Sequence, residues 1–273
     1  MPTGAPDYFK RILLYGLYTA DEPIAAYITD DGRFVFRLED WPDIWDEAAQ
    51  VGIAELIASL TPAKRWDRRG QILELDDFTC GLGRVDTDLS GTGAAVEMDD
   101  AYYAFGGYSC KLTGGAASPG HAAIVYYLDA SVVNRLGLEF WFRLSSNVQL
   151  VRIQFLLHDG SNLHNASVRY NVSAQAWQYY SSTPAWVSFV TGVKVKPGYT
   201  MFHPVKVVFD TTTRKYTRFI YAGGVVDMSA FSYYVGGSDA DPHLEVFIYC
   251  VSDDGVNGVI HVDNVIITQN EPE

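Results

Sequence analysis

The stretch VRIQFLLHDGSNLHNASVRYNV, residues 151–172, decides the fold class. In VRIQFLLH the apolar side chains occupy positions 151, 153, 155 and 157, while Arg152 and Gln154 lie between them. Such alternation places the two sets on opposite faces of a β-strand. Asp159-Gly160 then supplies the positive φ that a tight hairpin needs. The stretch predicts a β-hairpin with one face toward a core and the other toward solvent or a ligand.

Further strands with the same character follow one another from Gln71 to the end of the chain. They are short, they are separated by turn residues, and no convincing helix interrupts them. This pattern is typical of an antiparallel sandwich or barrel. The clearest predicted strands are 108–113, 122–128, 136–144, 149–158, 163–172, 205–210, 215–221, 244–251 and 259–268.

The first 70 residues have a different organisation. Strand-like runs at 12–18, 24–29 and 33–38, the last two joined by an Asp-Gly turn, predict a small β-meander. Residues 42–60 predict an amphipathic helix, and 63–70 read as a linker. We therefore divide the chain into an N-terminal assembly segment, 1–70, and a β-sandwich, 71–273.

The N-terminal segment has too little apolar material to bury its own faces, because a meander and one helix make a thin core. We therefore expect it to dock on another subunit. The side chains predicted to form this assembly interface are Ile12, Leu14, Tyr18, Trp45, Ile53 and Leu56.

Composition excludes several classes of protein. Of the 273 residues, 48% are apolar, so a chain of this kind can form a full core. There are 33 acidic and 20 basic residues, giving a net charge of −13, and the basic residues form no cluster. Nucleic acid and other polyanions are therefore not expected as partners. No apolar run is long enough for a membrane-spanning helix, so a membrane is not expected either.

Four short stretches resemble the jelly-roll modules of the carbohydrate-binding and concanavalin-like type. They are LDDFTCGL (75–82), YSCKL (108–112), LGLEFWFRLSS (136–146) and HVDNVIIT (261–268). The resemblance implies that the sandwich is an antiparallel jelly roll. It also implies a structural calcium near the first and last strands, which would nominate Asp76, Asp77 and Asp263.

The front of the chain resembles tailed-bacteriophage virion proteins in which a short assembly segment precedes a jelly roll. The resembling stretches are MPTGAPDYFKRILLYGLY (1–18), DDGRF (30–34) and DRRGQILELDDF (67–78). This resemblance implies a structural protein that decorates a phage capsid or tail, contacts other virion proteins and itself as a homo-oligomer, and has no enzymatic activity. It implies a location in the virion, which is assembled in the host cytoplasm.

A calcium loop is one candidate site. Asp86, Asp88 and Ser90 alternate before a glycine, and Glu97 follows six residues after it. Oxygen ligands with this spacing can converge on a hard cation when a glycine bends the loop. The alternative is a polar turn between strands, because the flanking residues do not form helices. No other cofactor is expected.

Aromatic residues cluster in AWQYYSSTPAW, residues 176–186. Sugar rings present flat faces of C–H bonds that stack on exposed aromatic rings, so this cluster is a candidate glycan site. The alternative is packing in the core or against another subunit. The candidate ligand contacts are Trp177, Tyr179, Tyr180 and Trp186.

Catalytic motifs are missing. The chain contains no GxSxG, no HExxH, no phosphate-binding glycine loop and no pair of carboxylates spaced for glycoside hydrolysis. We therefore expect no catalytic residues and no enzyme. Our first hypothesis is a phage structural protein, the alternative is a carbohydrate-binding module for a cell-surface polysaccharide, and a concanavalin-like glycoside hydrolase or lyase comes third.

Overall fold

The computed structural model describes residues 70–116, 120–129, 135–145, 147–198, 201–238, 241–253 and 255–272, together with three short strands nearer the N-terminus. The chain divides into two compact units, Met1–Val51 and Gly52–Glu273. In the first unit, β1 (Ile12–Leu13), β2 (Ala25–Ile28) and β3 (Phe34–Phe36) pair antiparallel in the order β1-β2-β3. Leu14, Tyr18, Trp45, Ile53 and Leu56, the helix predicted at 42–60 and the side chain of Ile12 lie outside the described residues.

The second unit is all β in the residues that the structure describes. Its strands are β4 (Gln71–Asp76), β5 (Asp86–Ser90), β6 (Ala95–Asp99), β7 (Ser109–Thr113), β8 (His121–Asp129), β9 (Arg135–Leu144), β10 (Val148–His158), β11 (Asn162–Asn171), β12 (Ala176–Tyr180), β13 (Trp186–Thr191), β14 (His203–Asp210), β15 (Lys215–Tyr221), β16 (Gly224–Asp227), β17 (Tyr234–Gly237), β18 (His243–Ser252) and β19 (Val259–Gln269). Within these ranges no helix is long and apolar enough to cross a membrane.

Two antiparallel sheets form a sandwich, as the sequence pattern predicts. Sheet 1 has the order β13-β12-β11-β10-β18-β8-β5, with β17 paired to β11. Sheet 2 has the order β16-β15-β14-β9-β19-β7-β6, with β4 paired to β19. Neighbouring strands are often distant in sequence, and long connections of this kind are typical of jelly rolls. All nine strands predicted from the sequence are present.

The core lies between the sheets and follows the alternation read from the sequence. In β10 the side chains at 151, 153, 155 and 157 are fully buried, and they face the apolar positions of β9, β14 and β19. Cys110 and Cys250 belong to this core as reduced thiols, whereas Cys80 is exposed. Because alternate residues point to opposite faces, each sheet also has an outer face made of the residues in between.

Candidate functional site

The outer face of sheet 1 is partly open and rich in polar and aromatic side chains. The outer face of sheet 2 differs, because its Glu139, Arg143 and Lys206 are buried. On sheet 1, the residues between the core positions of β10 and β11 include the half-buried Arg152 and Arg169, whereas Gln154 and Ser167 are buried. The hairpin register places these two arginines directly opposite each other. We call the surface around them the arginine face, which comprises Arg152, Arg169, Gln178, Tyr180, Trp186, Phe247 and Tyr249.

Aromatic rings flank the two arginines on both sides. Toward the sheet edge, the guanidinium carbon of Arg169 lies 4.2 Å from the ring centroid of Trp186, and that of Arg152 lies 5.6 Å from it. The Trp186 ring also contacts Tyr180, with centroids 5.2 Å apart. Toward β18, Arg152 lies 5.2 Å from the ring of Tyr249. Cation–π contacts of this kind fix the guanidinium planes without neutralising their charge.

Amide and hydroxyl groups complete the surface. The Arg169 Nε–H donates to Gln178 Oε1 at 2.8 Å, and Gln178 Nε2 donates to Ser188 Oγ at 3.2 Å. Between β10 and β11, Gln154 Nε2 donates to Asn165 Oδ1 at 3.3 Å. Side chains of these types can both donate to and accept from sugar hydroxyls.

Carboxylates do not neutralise this pair of cations. Neither Arg152 nor Arg169 forms an ion pair with any residue in the described ranges, and Arg152 Nε is buried without a hydrogen-bond partner. Burial lowers the pKa of Arg152. Burial, with Arg152 as a second cause, lowers the pKa of Arg169 to about 10. Both groups remain cationic at neutral pH, and the face carries two adjacent positive charges in a partly dry environment.

Acidic groups elsewhere on the outer face of sheet 1 lie beside histidines. Asp88 Oδ2 lies 3.2 Å from His121 Nε2, and Glu245 Oε1 lies 3.1 Å from His243 Nε2. The backbone carbonyl of Asp241 and then Glu245 raise the pKa of His243.

Three ligand-type atoms near one another raise the question of a metal. His158, His243 and Glu245 each have one such atom within 4.8 Å of the others. The two imidazole rings stack with centroids 4.4 Å apart and an interplanar angle of 10°. Nitrogen lone pairs lie in the ring plane, so stacked rings direct them side by side and not toward one ion. The cluster fits two stacked histidines with separate partners, Glu245 for His243 and Ser238 for His158, better than a metal centre.

The candidate calcium loop is not a loop. Asp86, Asp88 and Ser90 belong to the extended strand β5, which pairs with β8 in sheet 1. Glu97 belongs to β6 in sheet 2, where it binds Lys111 Nζ at 3.0 Å. Asp86, Asp88 and Ser90 therefore lie in a different sheet from Glu97, because the turn after Ser90 leads the chain from sheet 1 to sheet 2. The alternative, a polar turn between strands, describes this segment.

The acids implied by the jelly-roll resemblance hold backbone groups. Asp263 Oδ2 accepts hydrogen bonds from Ala104 N at 2.7 Å and Phe105 N at 2.9 Å, which ties the loop before β7 to β19. Asp76 Oδ1 accepts from Phe78 N at 2.9 Å. Burial raises the pKa of both carboxyl groups. Their hydrogen bonds give them a structural role in these turns.

The aromatic cluster divides between the two faces of sheet 1. Trp177 and Tyr179 point into the core, where Trp177 is 0% exposed, so a sugar cannot stack on them. Tyr180 and Trp186 lie on the arginine face. Alternation along β12 explains this division, and core packing is the role of the first two residues. Arg169, Gln178 and Tyr249 were not among the candidates. Tyr249 depends on the pairing of β18 with β10, strands that are far apart in sequence.

A depression of about 570 Å³ lies over β14, β15 and β16 of sheet 2. Two of its cations have carboxylate partners: Arg135 Nε lies 3.2 Å from Asp210 Oδ2, and Arg218 Nη2 lies 2.6 Å from Glu271 Oε2. These two arginines differ in this respect from Arg152 and Arg169.

Comparisons with known proteins identify the fold. No protein-family model and no curated protein sequence matches the chain. Among solved structures, an endo-β-1,4-glucuronan lyase from the fungus Trichoderma reesei is similar, with TM-score 0.53 and 13% identity over 73% of this chain and 96% of the lyase. The cellulose-induced protein Cip1 is similar with TM-score 0.52 and 16% identity, over 71% of this chain and 96% of Cip1. A carbohydrate esterase from Shiga toxin-encoding bacteriophage phi24B has TM-score 0.49 and 14% identity, over 74% of this chain and all of the esterase.

The likeness to the lyase corrects the prediction that the chain is not an enzyme. A protein with this fold is a glucuronan lyase, so missing short motifs do not exclude catalysis. In a β-sandwich the groups of one site come from strands far apart in sequence, and no short pattern records them. At this level of identity the likeness shows a shared fold: the described sandwich is the jelly-roll type also found in carbohydrate-active proteins.

Proposed function

We propose that this chain is a carbohydrate-binding or carbohydrate-active β-sandwich, and that the arginine face of sheet 1 takes the glycan. The observation that supports this most directly is the position of three aromatic rings, Tyr180, Trp186 and Tyr249, beside amide and hydroxyl side chains on a half-buried outer face. Rings give a sugar its stacking surface, and the amides fix its hydroxyls.

The fold similarity agrees with this proposal. The solved structures that share the sandwich include an enzyme that acts on glucuronan and a protein induced by cellulose. Function follows from the site and not from the fold, so the arginine face carries the proposal.

Binding is tested by screening the purified chain on an array of bacterial and plant polysaccharides and measuring each hit by calorimetry. Trp186→Ala should reduce affinity about 10- to 100-fold, because stacking on a large ring is lost. Val225→Ala, an exposed apolar residue on sheet 2, is the matched control and should bind normally. If Trp186→Ala binds every hit as tightly as the parent, the arginine face is not the site.

Incubating the protein with each bound glycan decides whether it only binds the glycan or also modifies it. Each glycan that binds is incubated with the protein and then analysed for shortened chains, unsaturated ends and released acyl groups. Shortened or deacylated product identifies a carbohydrate-active enzyme, and intact glycan identifies a binding module.

A phage structural role is the second candidate. It is supported by the resemblance of the front of the chain to virion proteins and by the separation of Met1–Val51 as its own compact unit. In this proposal the N-terminal segment docks on a virion and the sandwich projects from it. A fragment of residues 71–273 should fold but fail to join particles, and normal incorporation of that fragment would exclude the docking role.

A further inference from the structure

Arg152 and Arg169 are an unusual pair, because they carry like charges at directly opposite positions of two neighbouring strands. Opposed residues on antiparallel strands have Cβ atoms about 4.5–5.5 Å apart, and like charges at this spacing destabilise a sheet. Burial increases the cost, since both guanidinium groups are partly removed from water. Packing alone gives no reason for this pair.

Three other arginines in the described ranges pair with carboxylates. Arg84 Nη1 lies 2.7 Å from Glu74 Oε1, Arg135 pairs with Asp210, and Arg218 pairs with Glu271. In a chain with net charge −13, acidic partners are plentiful. The arginine face differs from these three sites, because rings and one amide surround its two cations.

The contacts that do exist leave donor groups available. Arg169 donates through Nε to Gln178, and the hydrogen bonds of the described residues include none from Arg152. A guanidinium group presents its N–H donors in a planar fork that matches the two oxygens of a carboxylate. An incoming carboxylate would offset one of the two positive charges, weaken the repulsion between them and satisfy donors that the protein does not satisfy.

We propose that Arg152 and Arg169 bind the carboxylate of an acidic sugar, so that the ligand of the arginine face is a polysaccharide containing uronic acid. This inference rests on the proposed glycan-binding function and adds its substrate class. Trp186 and Tyr249 stack the sugar rings on either side of the bound carboxylate, and Gln178 contacts hydroxyl groups.

The net negative charge of the protein does not prevent this. At physiological salt the Debye length is about 8 Å, so distant acidic groups are screened from the site, while the paired cations act at contact distance. The expectation from composition that polyanions are not partners concerns binding over a broad surface. It does not extend to one carboxylate held in a partly dry site.

The test compares pairs of sugars, of which two pairs differ in the carboxylate alone and a third differs in sulfate. Calorimetry with the full chain measures binding of a β-1,4-linked glucuronic acid oligomer and of its carboxyl-reduced form, a cello-oligosaccharide. An α-1,4-galacturonic acid oligomer and its reduced form make a second pair, and dextran sulfate with dextran makes a third. The inference expects the uronic acid member of at least one pair to bind about tenfold or more tightly than its neutral form, with affinity that falls as salt rises.

Arg152→Gln and Arg169→Gln should each weaken uronate binding about 10- to 100-fold, because each removes a charge-assisted contact. Arg169→Lys keeps the charge but loses the fork, so its affinity should fall between the parent and Arg169→Gln. Arg84→Gln removes an arginine outside the face and should bind normally. Neither Arg→Gln variant should lower the melting temperature, since each relieves repulsion between like charges, so lost binding can be distinguished from unfolding.

The outcomes are distinct. Equal binding of acidic and neutral partners, or binding of the neutral form alone, overturns the carboxylate assignment while the glycan-binding function stands. Preference for dextran sulfate over every uronate also overturns it. If no sugar in the three pairs or on the array binds, the proposed function fails and this inference fails with it.

Discussion

Lys206 and Glu271 form a fully buried ion pair: Nζ and Oε1 are 2.7 Å apart, and the two side chains are 1% and 0% exposed. Glu271 also accepts from Thr268 Oγ1 at 2.5 Å and pairs with Arg218. This one carboxylate joins β14, β15 and the residues after β19. Removing one member of a buried pair leaves an uncompensated charge in an apolar environment.

We therefore expect Glu271→Gln to lower the free energy of unfolding by about 3–5 kcal/mol. Chemical denaturation monitored by tryptophan fluorescence measures the change. Glu97→Gln removes an exposed ion pair with Lys111 and should cost less than about 1 kcal/mol. Equal losses in the two variants would contradict the structural role of Glu271.

Substitution of the two tryptophans at either end of the aromatic cluster should have very different effects on stability. Trp177 is fully buried and packs against Phe219 at 4.8 Å between ring centroids, so Trp177→Ala should cost about 3–5 kcal/mol. Trp186→Ala should cost less than about 1.5 kcal/mol, because its ring is half-buried on the outer face. Thermal melts of both variants test this. If Trp186→Ala destabilised the protein more than Trp177→Ala, the assignment of Trp177 to the core would be wrong.

The carboxyl group of Asp159 should make the stability of the protein depend on pH through the β10–β11 hairpin. Its Oδ1 accepts from Asn162 N at 2.6 Å and Ser161 N at 2.9 Å, and its Oδ2 lies 3.0 Å from His164 Nε2. These hydrogen bonds, that from the Asn162 amide first, hold the pKa of Asp159 well below its usual range. A carboxyl group with a lowered folded-state pKa stabilises the protein above its unfolded pKa, about 3.9, and this stability is lost as pH falls.

Asp159→Asn should accordingly lower the melting temperature at pH 7, and the difference from the parent should shrink steadily below about pH 4. Melting temperatures measured from pH 7 to pH 2 give the comparison. Asp227→Asn, at an exposed turn of sheet 2 whose carboxylate accepts from Ser229 N, controls for loss of a single turn contact. A difference that stays constant with pH would show that the charge of Asp159 has no role.

The three cysteines should differ in reactivity. Cys110 and Cys250 are 0% exposed, and burial raises the pKa of Cys250 to about 12, whereas Cys80 is exposed. A thiol reagent acts on the thiolate. One cysteine per chain should therefore react rapidly in the native protein, and the other two should react after denaturation. Cys80→Ser should abolish the rapid phase, and a remaining rapid phase would mean that a core strand opens.

Part of the arginine face follows from local sequence. Alternation in β10 places Arg152 on the outer face of the sheet, away from the core, and the turn at Asp159-Gly160 joins β10 to β11. Because that hairpin is local, its turn also fixes the register that sets Arg152 against Arg169. The division of the aromatic cluster follows equally from alternation, which turns Trp177 inward and Tyr180 outward.

The remaining features depend on contacts between distant segments. Tyr249 reaches the site because β18 pairs with β10 although about one hundred residues separate them, and the acids Asp210 and Glu271 lie in β14 and after β19 of sheet 2. The positions of the residues in the predicted calcium loop depend on long-range pairing too, since Ser90 pairs within sheet 1 and Glu97 within sheet 2. Alternation and turn chemistry are local and can be read from the chain, so the sequence alone determined the strands, their faces and the hairpin. Strand order is a long-range property, and so is the fact that no carboxylate in the described residues pairs with Arg152 or Arg169; only the packed sheets decided them.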